Sequence, residues 1–178
     1  MSNLGYLKQI QLQTRTKSQA TGHLKTATNT ILYPCALGPN GQTVFKKEGD
    51  GKTPQGIWYP LYLYYRPDRG KRPQTGLPIK PLQKHFGWCD AVGDRNYNRP
   101  INLPYPRSTE NLWREDAPYD LIVVLNHNQS PRVQGRGSAI FIHIAKPGLP
   151  PTEGCIALKK NDLLLLLPQI TRTTKIII

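Results

Sequence analysis

Short runs of β-branched and aromatic residues, separated by proline and glycine, recur along the chain and limit it to a mainly β fold. The runs DLIVVLNHN at 120–128 and SAIFIHIA at 138–145 have the composition of buried strands. The 17 Pro and 15 Gly are scattered rather than repeated, which indicates many turns between short strands. With 38% hydrophobic residues, a chain of 178 residues can enclose one core without metal or disulfide staples. We therefore expect a single domain over residues 1–178.

The remaining segments predict shorter elements around these two runs. Strands are expected at 4–13, 30–37, 43–49, 57–65 and 173–178. The polar stretch 14–29 fits either a hairpin or a mobile loop. Residues 66–118, which we call the excursion, are dense in Pro, Arg, Tyr and Asn and predict one long loop over the core; loops of this length usually carry function. NDLLLLLPQI at 161–170 predicts a helix that Pro168 limits, so that we expect one or two short helices.

The charge is strongly basic, with 24 Lys and Arg against 11 Asp and Glu and a net charge of +13. Such a balance favours an anionic partner such as nucleic acid, anionic lipid or a wall polymer, or it simply gives a solvated basic surface. No apolar run approaches the roughly 20 residues that span a bilayer, so we expect no transmembrane segment. Residues 1–13 lack the apolar centre of a signal peptide.

The three cysteines, Cys35, Cys89 and Cys155, are odd in number and form no CxxC pair. This pattern argues against a disulfide framework or a structural zinc site, and it favours one reactive thiol with two structural ones. We expect Cys35, in an apolar strand, to be an inert core residue.

Cys155 is the candidate for the reactive thiol because a strand carrying His143 precedes it by one loop, 146–154. A cysteine must lose its proton to attack a carbonyl, and a neighbouring histidine can take that proton and hold the thiolate as an ion pair. Gly154 permits close backbone approach, and backbone N–H groups around Cys155 would then form an oxyanion hole. A buried structural cysteine and a core histidine are the other interpretation of the same residues.

The sequence TEGCIAL, after a strand containing FIHIA, resembles the active-site signature of the YkuD-type L,D-transpeptidases, which place a histidine on a strand before S/T-x-G-C and Ile or Val. The matching residues are His143, Thr152, Gly154, Cys155 and Ile156. The resemblance implies that Thr152 binds substrate and that the other four belong to the catalytic site. GDGKTPQG at 49–56 resembles the upstream GD-x-x-TP-x-G element of that family. The resemblance covers about residues 30–178 and implies one catalytic domain with a YkuD-like fold, either a β-sandwich or mixed sheets.

The sequence departs from the commonest family pattern, which has Gly after the histidine and Arg two residues after the cysteine. Ile144 and Ala157 stand at these positions, as in the subgroup whose signature is P-T-x-G-C-[IV]-A-L. The missing arginine is a loss of an anchor for a substrate carboxylate. Arg136 is the first candidate to replace it and Arg114 the second, although either fits an ordinary surface arginine equally well.

The excursion adds a cluster of aromatic, amide and acidic residues that we expect to wall a cleft and orient a peptide. Its candidate substrate-binding residues are Trp88, Asp90, Tyr97 and Asn98. The other interpretation is that this loop packs on itself through Trp88 and Tyr97. His127 is expected to be a hydrogen-bonded structural residue rather than a base.

The resemblance implies an enzyme that acts on peptidoglycan stem peptides with Cys155 as nucleophile and His143 as base, without metal or organic cofactor. A thioester would be resolved by an amine, which gives transfer, or by water, which gives L,D-carboxypeptidase-type hydrolysis. Carbapenem-type β-lactams would acylate the same cysteine. The resemblance also implies a periplasmic or cell-envelope location, while the absence of a visible signal peptide leaves the cytoplasm open.

Two non-enzymatic interpretations stand beside this one. A basic nucleic-acid-binding module would explain the net charge of +13, and its binding would depend steeply on salt but not on Cys155. A family member that has lost turnover would only bind wall polymer, although this chain retains both His143 and Cys155. We expect no specific nucleic-acid partner.

Overall fold

The computed structural model describes residues 5–26 and 32–178, and these residues form a mainly β domain with one short α-helix. The strands are β1 (Gln9–Gln13), β2 (Thr21–Thr26), β3 (Leu32–Ala36), β4 (Gln42–Thr43), β5 (Thr53–Pro54), β6 (Ile57–Trp58), β7 (Pro60–Tyr65), β8 (Ile79–Pro81), β9 (Phe86–Cys89), β10 (Arg99–Asn102), β11 (Thr109–Asn111), β12 (Leu121–Leu125), β13 (Phe141–Ile144), β14 (Ile156–Leu158) and β15 (Lys175–Ile177). Helix α1 (Lys160–Leu166) continues into a 3-10 turn, Leu167–Gln169, and a second 3-10 turn, Ala117–Asp120, precedes β12.

Ten of these strands form one mixed sheet in the order β6-β15-β1-β2-β3-β14-β13-β12-β7-β8. The β1–β15, β13–β14 and β7–β8 contacts are parallel and the others antiparallel. Strand β6 lies at one edge and β7 next to the other edge, yet Tyr59 alone separates them in the chain. The sheet must therefore curl back on itself, which confirms the expected mainly β fold with mixed sheets.

The alternation of side chains along β13 and β14 divides the molecule into two apolar regions. One face of these strands points into the main core, which also takes side chains from β1, β2 and α1; among its members are Ile10, Leu24, Ile142, Ile144, Ile156, Leu158 and Leu163. The opposite face carries Phe141 and Cys155, which pack with Trp88, Leu112 and Tyr119 from the excursion and the turn after it. The second region is the one that holds the candidate site.

Several sequence expectations are corrected by the structure. Strand β4 ends at Thr43: Val44 and Phe45 after it are exposed, and Lys46 is buried and pairs with Asp50. The segment 57–65 is interrupted at Tyr59. The excursion is not one loop, since β9 pairs there with β10 and β11 in a three-stranded sheet.

The stretch 14–29 contains β2, which pairs antiparallel with β1. Of the two interpretations of this stretch, a hairpin or a mobile loop, the structure therefore shows the hairpin. Residue 4 of the first expected strand and residues 30–31 of the second lie outside the described residues. In the part of the chain that the structure describes, no helix has the length and apolar character to cross a bilayer.

Candidate active site

A cavity of about 470 Å³ opens on the face of the sheet that carries the excursion, and both His143 and Cys155 line it. Strands β13 and β14 run parallel with His143 opposite Ala157, two residues beyond Cys155. Because side chains alternate along a strand, His143, Ala157 and Cys155 all lie on the same face. The strand pairing thus brings the two sequence-predicted residues to one cavity.

His143 is oriented by the backbone of its own strand. Its Nδ1 donates a hydrogen bond to the carbonyl of Ile144 at 2.9 Å, so Nε2 is the basic atom of the ring. The ring of Tyr119 packs edge-on at 5.3 Å between centroids. Burial lowers the pKa of His143 to about 4, and the imidazole is therefore neutral at pH 7.

Cys155 is 8% exposed and is held by two backbone groups. Its thiol donates to the carbonyl of Ala139 at 3.1 Å, and its sulfur accepts from the N–H of Phe141 at 3.4 Å. Burial raises the pKa of the thiol well above its usual value, and the negative charge of Glu110 raises it further. The structure therefore holds a neutral thiol and a neutral imidazole on the wall of one cavity, not the thiolate ion pair that the sequence suggests.

The loop before Cys155 is fixed by Thr152 and Gly154. The Thr152 hydroxyl donates to the Cys155 carbonyl at 2.7 Å and accepts from the Gly154 N–H at 3.2 Å. Gly154 has φ +132°, and a Cβ there would lie 2.7 Å from the carbonyl oxygen of Lys52. A larger residue would clash, so the glycine of the motif is required by close packing. The side chain of Ile156 points away from the cavity into the main core, which corrects the expectation that it belongs to the catalytic site.

The loop at 49–56 packs against this segment. Asp50 accepts from the backbone N–H groups of Lys47 and Lys52, each at 2.8 Å, and pairs with the Lys46 ammonium. Burial opposes ionisation of Asp50, but the bonds from Lys46 and the two N–H groups outweigh it and lower the pKa of the carboxyl. The ion pair holds Lys46 against the cavity, where the lysine is 5% exposed.

The two candidate arginines lie in different places. Arg114 lines the cavity, where Asp116 accepts from its Nε at 2.6 Å and its guanidinium stands 5.1 Å from the centre of the Tyr119 ring. Arg136 is exposed and lies outside the cavity wall. Its carbonyl accepts from Nε2 of His127 at 3.0 Å, so His127 is hydrogen-bonded as expected.

Of the four excursion residues expected on the wall, the structure brings only Asp90 to the cavity. Trp88, Tyr97 and Asn98 are at most 1% exposed and lie behind the wall, which corrects the expectation that they face a substrate. The cause is a buried polar network: Asn98 Oδ1 accepts from Trp88 Nε1 at 3.0 Å and from the N–H of Ala139 at 3.1 Å. Asn98 thereby fixes the position of Ala139, whose carbonyl accepts the hydrogen bond from the Cys155 thiol.

Sequence reasoning missed two residues beside the thiol. Glu110, from β11, and Tyr119 both line the cavity, and the Tyr119 hydroxyl donates to the Glu110 carboxylate. Burial raises the pKa of Glu110 to about 6, and the charges of Glu153 and Asp90 contribute in the same direction. Nothing in the sequence around Glu110 indicates this position, because only the fold of the excursion brings β11 to the cavity.

Within the described residues, no three His, Cys, Asp or Glu side chains are grouped so that they could hold a metal ion.

Comparison with known proteins gives one finding. The model of the YkuD family, described as the L,D-transpeptidase catalytic domain, matches residues 12–178. Neither the curated proteins nor the solved structures contain a match.

Proposed function

Since the chain belongs to the YkuD family of L,D-transpeptidase catalytic domains, we propose that it transfers peptidoglycan stem peptides through a thioester on Cys155. The family acts on peptidoglycan peptides, and the match covers almost the whole chain. The observation that carries the proposal is the shared face of the parallel pair β13–β14, from which His143 and Cys155 line one cavity.

The first half of the proposed reaction forms the thioester. Nε2 of His143 takes the proton of Cys155 as Sγ attacks the carbonyl carbon between the diamino acid and the D-residue that follows it in a tetrapeptide stem. The backbone N–H of Cys155 is our candidate donor to the resulting oxyanion. The C–N bond then breaks, and the imidazolium gives its proton to the departing D-amino acid.

In the second half, a neutral amine attacks the thioester carbon and passes its proton to His143. Sγ leaves as thiolate and recovers that proton. Water in place of the amine gives carboxypeptidase-type hydrolysis, which is the alternative outcome at the same site.

In the resting pair the imidazole is neutral and the thiol is protonated. The lowered pKa of His143 and the raised pKa of Cys155 both oppose proton transfer before a substrate is bound. Attack and proton transfer would then occur together. Arg114 is our candidate anchor for a substrate carboxylate, because it is the predicted arginine that lines the cavity.

The test is incubation with purified tetrapeptide muropeptides, with and without an added amine acceptor, followed by mass spectrometry of products and protein. We expect release of the terminal D-amino acid and an acyl adduct on Cys155. The Cys155→Ala variant should lose both, and His143→Gln should lose about 10²- to 10⁴-fold in rate. The controls Cys35→Ala and Cys89→Ala remove buried thiols outside the cavity and should keep turnover. Adducts on Cys35 or Cys89 would contradict the assignment.

The same experiment separates transfer from hydrolysis, since only transfer gives a product that contains the added amine. Acylation by a carbapenem, also read as a mass increase on Cys155, is the inhibitor prediction of the proposal. We further propose a cell-envelope location, where the polymer substrate lies, and fractionation of cells that express the protein tests it.

A further inference from the structure

The basic residues on the cavity wall are already paired with acids. Lys46 pairs with Asp50, while Arg114 and Lys146 both pair with Asp116, the latter at 3.2 Å. Asp50 and Asp116 balance only two of these three positive charges, so one positive charge remains on the wall, shared by Arg114 and Lys146.

Four carboxylates line the same cavity, and among the described residues none of them makes an ion pair: Glu48, Asp90, Glu110 and Glu153. Glu48 and Glu110 each accept a hydrogen bond from a tyrosine hydroxyl, that of Tyr97 and Tyr119 respectively. The cavity is therefore acidic, although the chain as a whole carries a net charge of +13.

An independent observation on the same wall concerns Ser138 and Asp90. The hydroxyl of Ser138, a residue 8% exposed, and Oδ1 of Asp90 are buried without a hydrogen-bond partner among the described residues. Both residues line the cavity. Leaving a buried polar oxygen unpaired is unfavourable, so these two atoms favour a ligand that donates hydrogen bonds.

We propose that Asp90, Glu110, Glu153 and Ser138 form a binding site for a primary ammonium group next to Cys155. An ammonium carries three N–H donors and one positive charge, which match carboxylate and hydroxyl acceptors. The basic exterior repels cations, so a local acidic wall would be needed to concentrate an amine at the thiol. The nature of the ligand rests on the proposed function, in which the ammonium belongs either to the diamino acid of the donor stem or to the acceptor.

The charge of the site can be tested without any peptidoglycan. Thiosulfonates convert a cysteine thiolate to a mixed disulfide and release methanesulfinate, so a cationic and a neutral reagent report the local potential at Cys155. We would compare the rates of 2-aminoethyl methanethiosulfonate and methyl methanethiosulfonate, with the modified residue identified by mass spectrometry. Their ratio cancels changes in thiol ionisation that affect both reagents equally.

The ratio of the cationic to the neutral reagent's rate should fall about 3- to 10-fold in Glu110→Gln and in Asp90→Asn. This range corresponds to the attraction between the reagent's ammonium and one carboxylate at roughly 6 Å in a partly solvated cavity. Glu115→Gln is the matched control, because Glu115 is exposed, pairs with Arg69 and lies outside the cavity. Since the pKa of Glu110 is about 6, the wild-type ratio should also fall as the pH drops below that value. If either Glu110→Gln or Asp90→Asn fails to fold, the other variant still tests the proposal. A ratio that is unchanged in both, or equally reduced in Glu115→Gln, would overturn the proposal.

Stem peptides then distinguish the two sources of the ammonium. If it belongs to the donor, acetylating the side-chain amine of the tetrapeptide should slow adduct formation on Cys155 in the wild type but not in Glu110→Gln. If it belongs to the acceptor, adduct formation should be unchanged and Glu110→Gln should divert product from transfer to hydrolysis. If stem peptides react but neither effect is observed, the proposed ammonium site is wrong. A wild type that ignores stem peptides yet keeps the charge-dependent ratio would refute the proposed function alone.

Discussion

The segment 138–158 and the excursion both contribute to the cavity wall, but they supply different things. The segment supplies the thiol and the imidazole, and backbone groups of β13 hold both. The excursion supplies Asp90, Glu110 and Arg114, side chains that are charged and come from distant positions. The thiol and the imidazole are thus placed by strand geometry, while their electrostatic environment is assembled by tertiary packing.

Asn98 joins the two regions through hydrogen bonds, and we expect removal of its side chain to have the largest effect on stability. Asn98→Ala would leave Trp88 Nε1, the Ala139 N–H and two carbonyls unpaired in the interior. Asn98 also has φ 55°, a conformation that asparagine tolerates better than alanine. We expect a loss of about 3 kcal/mol in the free energy of unfolding, measured by urea denaturation.

The matched control for that variant is Asn102→Ala, on the exposed side of β10, which should change stability by less than about 0.5 kcal/mol. Folded Asn98→Ala should also show an altered alkylation rate at Cys155, because the carbonyl of Ala139 would lose its fixed position. Equal stability of the two variants would mean that the excursion merely covers the segment.

Local pattern was sufficient for the first region and insufficient for the second. The β-branched runs and the T-x-G-C loop place His143 and Cys155 because a strand pair fixes which residues share a face. Trp88 and Tyr97 were misplaced because composition alone cannot say which side of a loop faces the core. Glu110 could not be found at all, since its position depends on how β9 to β11 fold back over the sheet.

The fit between the Cys155 loop and the 49–56 loop gives a smaller test. Gly154→Ala combines a positive φ with a Cβ 2.7 Å from the Lys52 carbonyl, and we expect it to destabilise the fold by about 2 kcal/mol. Gly148→Ala is the control, since Gly148 has φ +81° but open space around a Cβ. The difference between the two unfolding free energies, measured in urea, reports the contact together with the more strained φ of Gly154. If the two variants lose the same amount, backbone strain accounts for the whole effect and the loops are not closely fitted.

The smallest effect concerns the excursion alone and follows from the pH dependence of Glu110. Its pKa is raised in the folded state from 4.5 to about 6, so the folded protein favours the protonated carboxyl. The stability that this preference contributes is fully present below about pH 4.5 and is lost as the pH rises through about 6. Glu110→Gln is neutral at every pH and cannot lose it.

The free energy of unfolding of Glu110→Gln minus that of the wild type should therefore increase between pH 4.5 and pH 6. We expect an increase of about 1 kcal/mol, below the full value for such a pKa shift because the cavity admits solvent. Urea denaturation at several pH values measures it, with Glu115→Gln as the exposed control. A difference that stays flat across this range would show that the cavity imposes no penalty on the Glu110 charge. The contrast between a backbone-held thiol and a charge-tuned wall would then be lost.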